Sequence, residues 1–267
     1  MNKISRHEKP LVIKDKSGEK TRNPNRIVIN QHVIPRKHIL KWSTEGKMVK
    51  VCEISTGKQK LFAAAKSYFC VMRLWDQWVE VNMLGPNEKN YQKQIRLFEE
   101  QKSFTHQEYI MAYYVMLCVR TWVANKERPD YPSSMTDLSY ETTKAELEEN
   151  ELEMAGGVHI VKATLDEGSQ HMARQVVKLT MSQAFIKWCS VLEGQKWIYF
   201  HSEEEAFILP DSLHNNFHRK LHILPVCPKY VLIAEATYNN LEVNGNLEVD
   251  FINKSFIENS IKYYVYK

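Results

Sequence analysis

The chain has 267 residues, 36 Lys plus Arg against 32 Asp plus Glu for a formal net charge of +4, and a hydrophobic fraction of 43%. That composition is globular and excludes a disordered, collagen-like or coiled-coil description of the whole chain. No run of about 18 apolar residues is present, so no membrane-spanning helix is expected. The first twenty residues carry charge without the apolar stretch of a secretory signal.

The five cysteines, Cys52, Cys70, Cys118, Cys189 and Cys227, are far apart and form no C-x-x-C pair. Free thiols in a reducing cytoplasm are the expectation. The modest net charge conceals an uneven layout. Residues 1–50 hold nine Lys and four Arg against four acids, a net +9 that leaves −5 for the remainder. Asp130 to Glu153 holds eight acids and one base, Lys144. A basic segment steers toward phosphate, which makes residues 1–50 a candidate nucleic-acid contact; a solvated tail is the plainer reading.

Residues 1–28, punctuated by Gly18, Asn23, Pro24 and Asn25, read as a flexible basic arm, and 29–267 as a single domain. Pro35 suits the first turn of a short helix whose apolar side is Ile39, Leu40 and Trp42. Met48–Ile54 alternates with period two, Ser55–Lys58 turns, and Gln59–Phe62 returns as a partner strand. The middle, about 70–192, reads as helical: Val71–Leu84, Glu88–Gln101, Thr105–Asn125, Ser139–Glu153 and Gln170–Leu192. Gly85-Pro86 separates the first two of these helices, and Pro129 and Pro132 bracket a loop. Gly156-Gly157 ends the acidic helix ahead of a short strand over 158–164.

After Gly194 the pattern changes to short strands at Trp197–His201, Phe207–Leu209, Leu221–Leu224 and Tyr230–Ala234. A turn at Asn244-Gly245 and a last helix, Phe251–Tyr264, follow. This order predicts an α+β fold, with a helical central region packed on a mixed or antiparallel sheet built from the N-terminal hairpin and the C-terminal strands.

The segment Gln31-His32-Val33-Ile34-Pro35-Arg36, followed by His38, Leu40 and Trp42, resembles the opening motif of a bacterial and prophage family of unknown function. That family continues with a strand pair like Val49–Glu53 and its Thr56-Gly57-Lys58 turn, then a helical middle. Its late pieces correspond to Phe207-Ile208-Leu209-Pro210-Asp211-Ser212 and Leu224-Pro225-Val226-Cys227-Pro228-Lys229, and its closing helix to Asn253–Tyr264. The resemblance runs from about residue 30 to the end. It departs at Pro210, where the family has Ser, and at Ser212-Leu213, where Asn and Pro are usual. The resemblance implies a prophage setting and brings no established activity with it.

His32 and Arg36 stand four apart, and the resemblance implies that they lie near Asp211. A His, an Arg and an Asp in one cleft would serve as base, anion clamp and orienter, the candidate catalytic set. The structural alternative is a His32–Asp211 hydrogen bond that ties the opening motif to the sheet. His214, His218 and His222 recur every four residues and are the candidate metal ligands, with Asp211 as a carboxylate partner; a polar connection between strands is the competing reading. No P-loop, dinucleotide fingerprint or G-x-S-x-G is present, so no cofactor is assigned.

Three functions follow. The first is a mobile-element accessory effector, toxin-like or phage-excluding, acting on or near nucleic acid. The second is a non-enzymatic inhibitor that binds a host or phage protein. The third is a metal-dependent hydrolase using the His-rich stretch.

Overall fold

The computed structural model describes residues 11–101, 103–126, 143–153, 165–204 and 206–267. Residues 1–10 of the basic arm, the Pro129–Pro132 loop, the acidic stretch from Asp130 to 142, and the Gly156-Gly157 break with its 158–164 strand lie outside them. In chain order the first half carries strands β1 (Val12–Lys14), β2 (Lys20–Arg22) and β3 (Asn30–His32), helix α1 (Arg36–Ile39), and strands β4 (Met48–Glu53), β5 (Gln59–Ala63) and β6 (Cys70–Met72). Helices α2 (Gly85–Gln101), α3 (Gln107–Asn125), α4 (Lys144–Glu153) and α5 (Leu165–Val191) follow. The last part carries β7 (Trp197–His201), β8 (Leu209–Pro210), α6 (His214–His218), β9 (Ile223–Cys227), β10 (Tyr230–Ala234), α7 (Glu235–Val243), α8 (Val249–Asn259) and β11 (Tyr263–Tyr266). Helices and antiparallel sheets together make the α+β class. No described helix is long and apolar enough to cross a membrane.

Where the sequence pattern predicts one domain, the backbone divides into two compact units. One is Met1–Gln31, Cys70–Pro86 and Asn125–Gln183; the other is His32–Phe69, Asn87–Ala124 and Ala184–Lys267.

In the first unit, part of the expected flexible arm is a hairpin. Strands β1 and β2 pair antiparallel. Their turn is held by the Asp15 carboxylate, which accepts from the Ser17 amide at 2.9 Å, the Ser17 hydroxyl at 2.6 Å and the Glu19 amide at 2.9 Å. The segment read as a helix over 71–84 begins as strand β6 paired with β3. Tertiary contacts override its helical pattern. The buried Gln31 side chain donates to the Trp75 carbonyl at 2.8 Å and accepts from the Leu74 amide at 2.6 Å, so it fixes that backbone in non-helical form.

A π-helical turn over Val79–Leu84 then runs into α2 without a break at Gly85-Pro86. The Gly85 amide bonds the Glu80 carbonyl, and a Cβ on Gly85 would stand 3.1 Å from that oxygen. Glycine permits this close approach, and Pro86, which has no N–H to place, follows at the junction of the π-helical turn and α2.

The interior of this unit is ionic. Glu151 on α4 is its hub: Oε1 receives Arg174 Nε at 2.8 Å and Arg73 Nη2 at 3.1 Å, with His171 Nδ1 at 3.5 Å. Its Oε2 accepts from the Gln77 amide at 3.1 Å. Glu148, one turn earlier, lies 3.5 Å from Arg73 Nη1 and accepts from Asn25 at 3.3 Å. Lys178 Nζ sits 3.0 Å from Asp76 Oδ2, over the Trp78 ring. All the charged side chains in this network are buried. Arg174 and Arg73 hold the Glu151 carboxyl well below the usual range, against burial. Burial raises those of Asp76 and Glu148.

The second unit carries a four-stranded sheet in the order β5-β4-β11-β8 and a three-stranded sheet in the order β7-β10-β9. The first joins the N-terminal hairpin to strands from the far end of the chain, as expected. Its link is β11, which lies at the end of the segment read as the closing helix; that helix stops at Asn259. Pro225 occupies the edge strand β9, where the absent N–H is tolerated.

Beside that edge sits His38, 1% exposed and stacked in parallel with Trp42 and Tyr113. Its Nε2 lies 2.7 Å from the Pro225 carbonyl and its Nδ1 2.8 Å from the Tyr113 hydroxyl. A carbonyl only accepts, so Nε2 carries the proton and Nδ1 accepts from Tyr113. Trp42 donates to the Phe207 carbonyl at 2.8 Å. The opening motif is thereby bonded to the late motifs through buried hydrogen bonds.

Two predictions follow from these cores. Burial lowers the His38 pKa to about 4, below the ordinary 6.5 of the unfolded chain, so its contribution is complete above pH 6.5 and is lost as pH falls toward 4. The loss approaches roughly 3 kcal/mol, and urea unfolding of wild type and His38→Gln between pH 7 and 4.5 should show a shallower pH slope in the variant. Glu151→Gln removes the carboxylate that Arg73 and Arg174 share, leaving Arg73 with Glu148 alone, and should lower unfolding free energy by about 3–5 kcal/mol in the same assay at pH 7.

Candidate functional site

In the second unit, α6 ends in a Schellman cap. The Lys220 amide bonds the Phe217 carbonyl at 3.1 Å, and the Leu221 amide bonds the Asn216 carbonyl at 2.9 Å. That cap requires a left-handed residue, and Lys220 supplies it at φ 58°. Glycine is the residue that takes this conformation freely; a lysine here costs on the order of 1 kcal/mol. The Thr237 hydroxyl donates to the Lys220 carbonyl at 3.2 Å and accepts from the His222 amide at 3.2 Å, which fixes the segment against α7.

A groove of about 640 Å³ opens between this cap, the start of α7 and the end of α5. Twelve residues line it, with Arg219 and Lys220 as permanent cations, His218 and His222 as imidazoles, and no Asp or Glu. Arg219 Nη1 lies 3.6 Å from Glu258 Oε2, with both side chains about half exposed. Such a pair is worth at most about 1 kcal/mol and yields readily to a stronger anion. The volume falls within the ordinary range of ligand sites.

Of the candidate metal ligands, His214 and His218 stand edge to face with ring centroids 6.5 Å apart. His218 and His222 share the groove wall. His214 Nδ1 is 2.9 Å from the Ser212 hydroxyl, and burial beside His218 lowers the His214 pKa to about 4. Among the described residues no three His, Cys, Asp or Glu side chains converge on a metal-sized centre.

The candidate catalytic residues are each engaged in the backbone of this unit or exposed. Asp211 is 6% exposed and accepts from the Ile261 and Lys262 amides at 2.8 Å and the Tyr263 amide at 3.4 Å. It holds the turn that launches β11. Burial raises its carboxyl pKa, against the three amides that lower it. His32 is half-buried, with Nε2 3.2 Å from the Ala64 carbonyl, and its own carbonyl accepts from Arg120. Burial is the main cause that lowers the His32 pKa, and the Arg120 and Arg36 charges add to it. Arg36 is exposed on the first residue of α1.

Comparison with protein-family models, with curated proteins and with solved structures finds no match to this chain. Sequence reasoning singled out the histidine spacing and passed over Arg219-Lys220, which interrupt it; the run His-Arg-Lys beside a helix end was the available signal. It also missed the buried network, whose signal was polar residues at the spacing of an apolar stripe: His171, Arg174, Gln175 and Lys178 on α5.

Proposed function

We propose that this protein binds nucleic acid through its phosphate backbone, with the groove beside α6 as the contact, as an accessory effector of a mobile element. One observation carries the binding reading: a ligand-sized groove that holds two permanent cations and two imidazoles and no carboxylate. With no acid among its lining residues, the field inside the groove is of one sign and favours an anion. The mobile-element setting is supported by the order of motifs from Gln31 to Lys229 and by the +9 of residues 1–50.

Stability and binding should separate at this site. Lys220→Gly removes the left-handed strain and should leave the unfolding midpoint unchanged or raised. Combined with Arg219→Ala it should weaken binding of a fluorescent single-stranded oligonucleotide roughly tenfold at low salt. It should also flatten the slope of log affinity against log salt by about 1.4, the share of two phosphate contacts. Fluorescence anisotropy at several salt concentrations measures both. Wild-type affinity and slope in the double variant, with binding lost only in a chain lacking residues 1–28, would assign the contact to the arm and contradict the groove.

A further inference from the structure

The two imidazoles of the groove have different surroundings. His222 is 8% exposed and packs against Phe217, with ring centroids 5.1 Å apart, and against Tyr114 at 6.0 Å. Its Nδ1 makes no hydrogen bond among the described residues. His38 has both ring nitrogens committed and is chemically inert; His222 lacks that lock on its tautomer. With no carboxylate in the groove wall to favour the imidazolium, burial and the Lys220 charge lower the His222 pKa to about 4. The ring is neutral at neutral pH. His218 is exposed, edge-on to Trp188 at 5.6 Å and 6.1 Å from Phe217. Arg219 and Lys220 lie between the two histidines in the chain and share their groove. A pair of titratable groups in one cleft, held in unlike environments beside fixed cations, is the arrangement that divides acid from base.

We propose that the groove cleaves single-stranded RNA by transfer of the phosphoryl group to the ribose 2′-oxygen, with His222 as general base and His218 as general acid. The proposal rests on the groove being the phosphate-binding site. His222 takes the proton of the 2′-hydroxyl as that oxygen attacks the adjacent phosphorus. The bond from phosphorus to the 2′-oxygen forms, and the bond to the 5′-oxygen breaks. His218 delivers a proton to the departing 5′-oxygen. The products are a 2′,3′-cyclic phosphate and a 5′-hydroxyl, and the histidines return to their starting states by proton exchange with water. The charge that builds on the phosphoryl oxygens is met by Arg219 and Lys220. No oxidant, reductant or further reactant enters the balance.

The test uses the full chain in excess over a single-stranded oligoribonucleotide, in EDTA, so that every substrate molecule is bound and one turnover is followed. Product ends are read by mass spectrometry. The matched 2′-O-methyl and 2′-deoxy oligonucleotides are followed in parallel by anisotropy. The expected result is cleavage of RNA to cyclic-phosphate and 5′-hydroxyl ends, with both analogues bound and intact. His218→Ala, an exposed position that folding tolerates, should slow cleavage of bound RNA by roughly 100-fold or more. His222→Gln should act in the same direction. RNA that is bound and stays intact, ends bearing a 5′-phosphate, or a wild-type cleavage rate in His218→Ala would each overturn the proposal. Failure of all three oligonucleotides to bind would overturn the phosphate-binding reading beneath it.

Discussion

A charge withdrawn from water must meet an opposite charge or lose its own, and both interiors of this protein are organised by that constraint. In the first unit the answer is pairing. Three carboxylates, Asp76, Glu148 and Glu151, are matched by Arg73, Arg174 and Lys178, and Glu151 takes two guanidinium groups and a backbone amide at once. A network of this kind adds little stability over a well-packed apolar core, yet removing one member leaves its partner charged and dry. It fixes which segments meet: the 73–77 segment, α4 and α5 have one arrangement in which every charge is answered. In the second unit Arg120 is paired in the same way with Glu88, and a second answer is neutrality. His38 sits among stacked aromatic rings as an uncharged donor and acceptor, and both its ring nitrogens are used to bond separate segments.

Against that background the groove beside α6 stands apart. Arg219 has only a half-exposed partner in Glu258, and no acid lines the cavity. The segment is nonetheless closely determined. The cap bonds from Lys220 and Leu221, and the Thr237 hydroxyl that bridges Lys220 to His222, hold the backbone that presents the basic side chains. Precise backbone with weakly matched side-chain charge suits a binding site, because the order is established before a ligand arrives.

Local pattern carried much of this fold. The alternation over Met48–Glu53 and the turn with Gly57 at φ 65° specify their hairpin without help from the rest of the chain. The closing strand β11 was not legible, because Tyr263–Tyr266 follows directly on a helical period and becomes a strand through pairing with β4 and β8. The strand at Cys70–Met72 was hidden for the same reason: its partner lies some forty residues earlier. Helix α7 escaped because it starts immediately after β10, with Ala234 rather than a capping side chain at its head.

The site followed the same division. His32, Arg36 and Asp211 drew attention as chemistry; His32 and Asp211 prove to bond backbone, as do Gln31 and His38 of the opening motif, and each satisfies peptide groups of a distant segment. The spacing of His218 and His222 marks the segment that lines the groove, for a reason the spacing does not contain. What places both on one wall is the left-handed turn at Lys220, and a conformation stabilised by its bonds to neighbouring segments leaves no trace in composition.

The direct measurement of the central claim is amide hydrogen exchange on the full chain, with and without a saturating single-stranded oligonucleotide. Bound phosphate in the groove slows local opening of the backbone that lines it. Protection should be concentrated in Phe217–His222 and Ala236–Asn240. Binding that leaves these two segments unchanged and protects others would contradict the account.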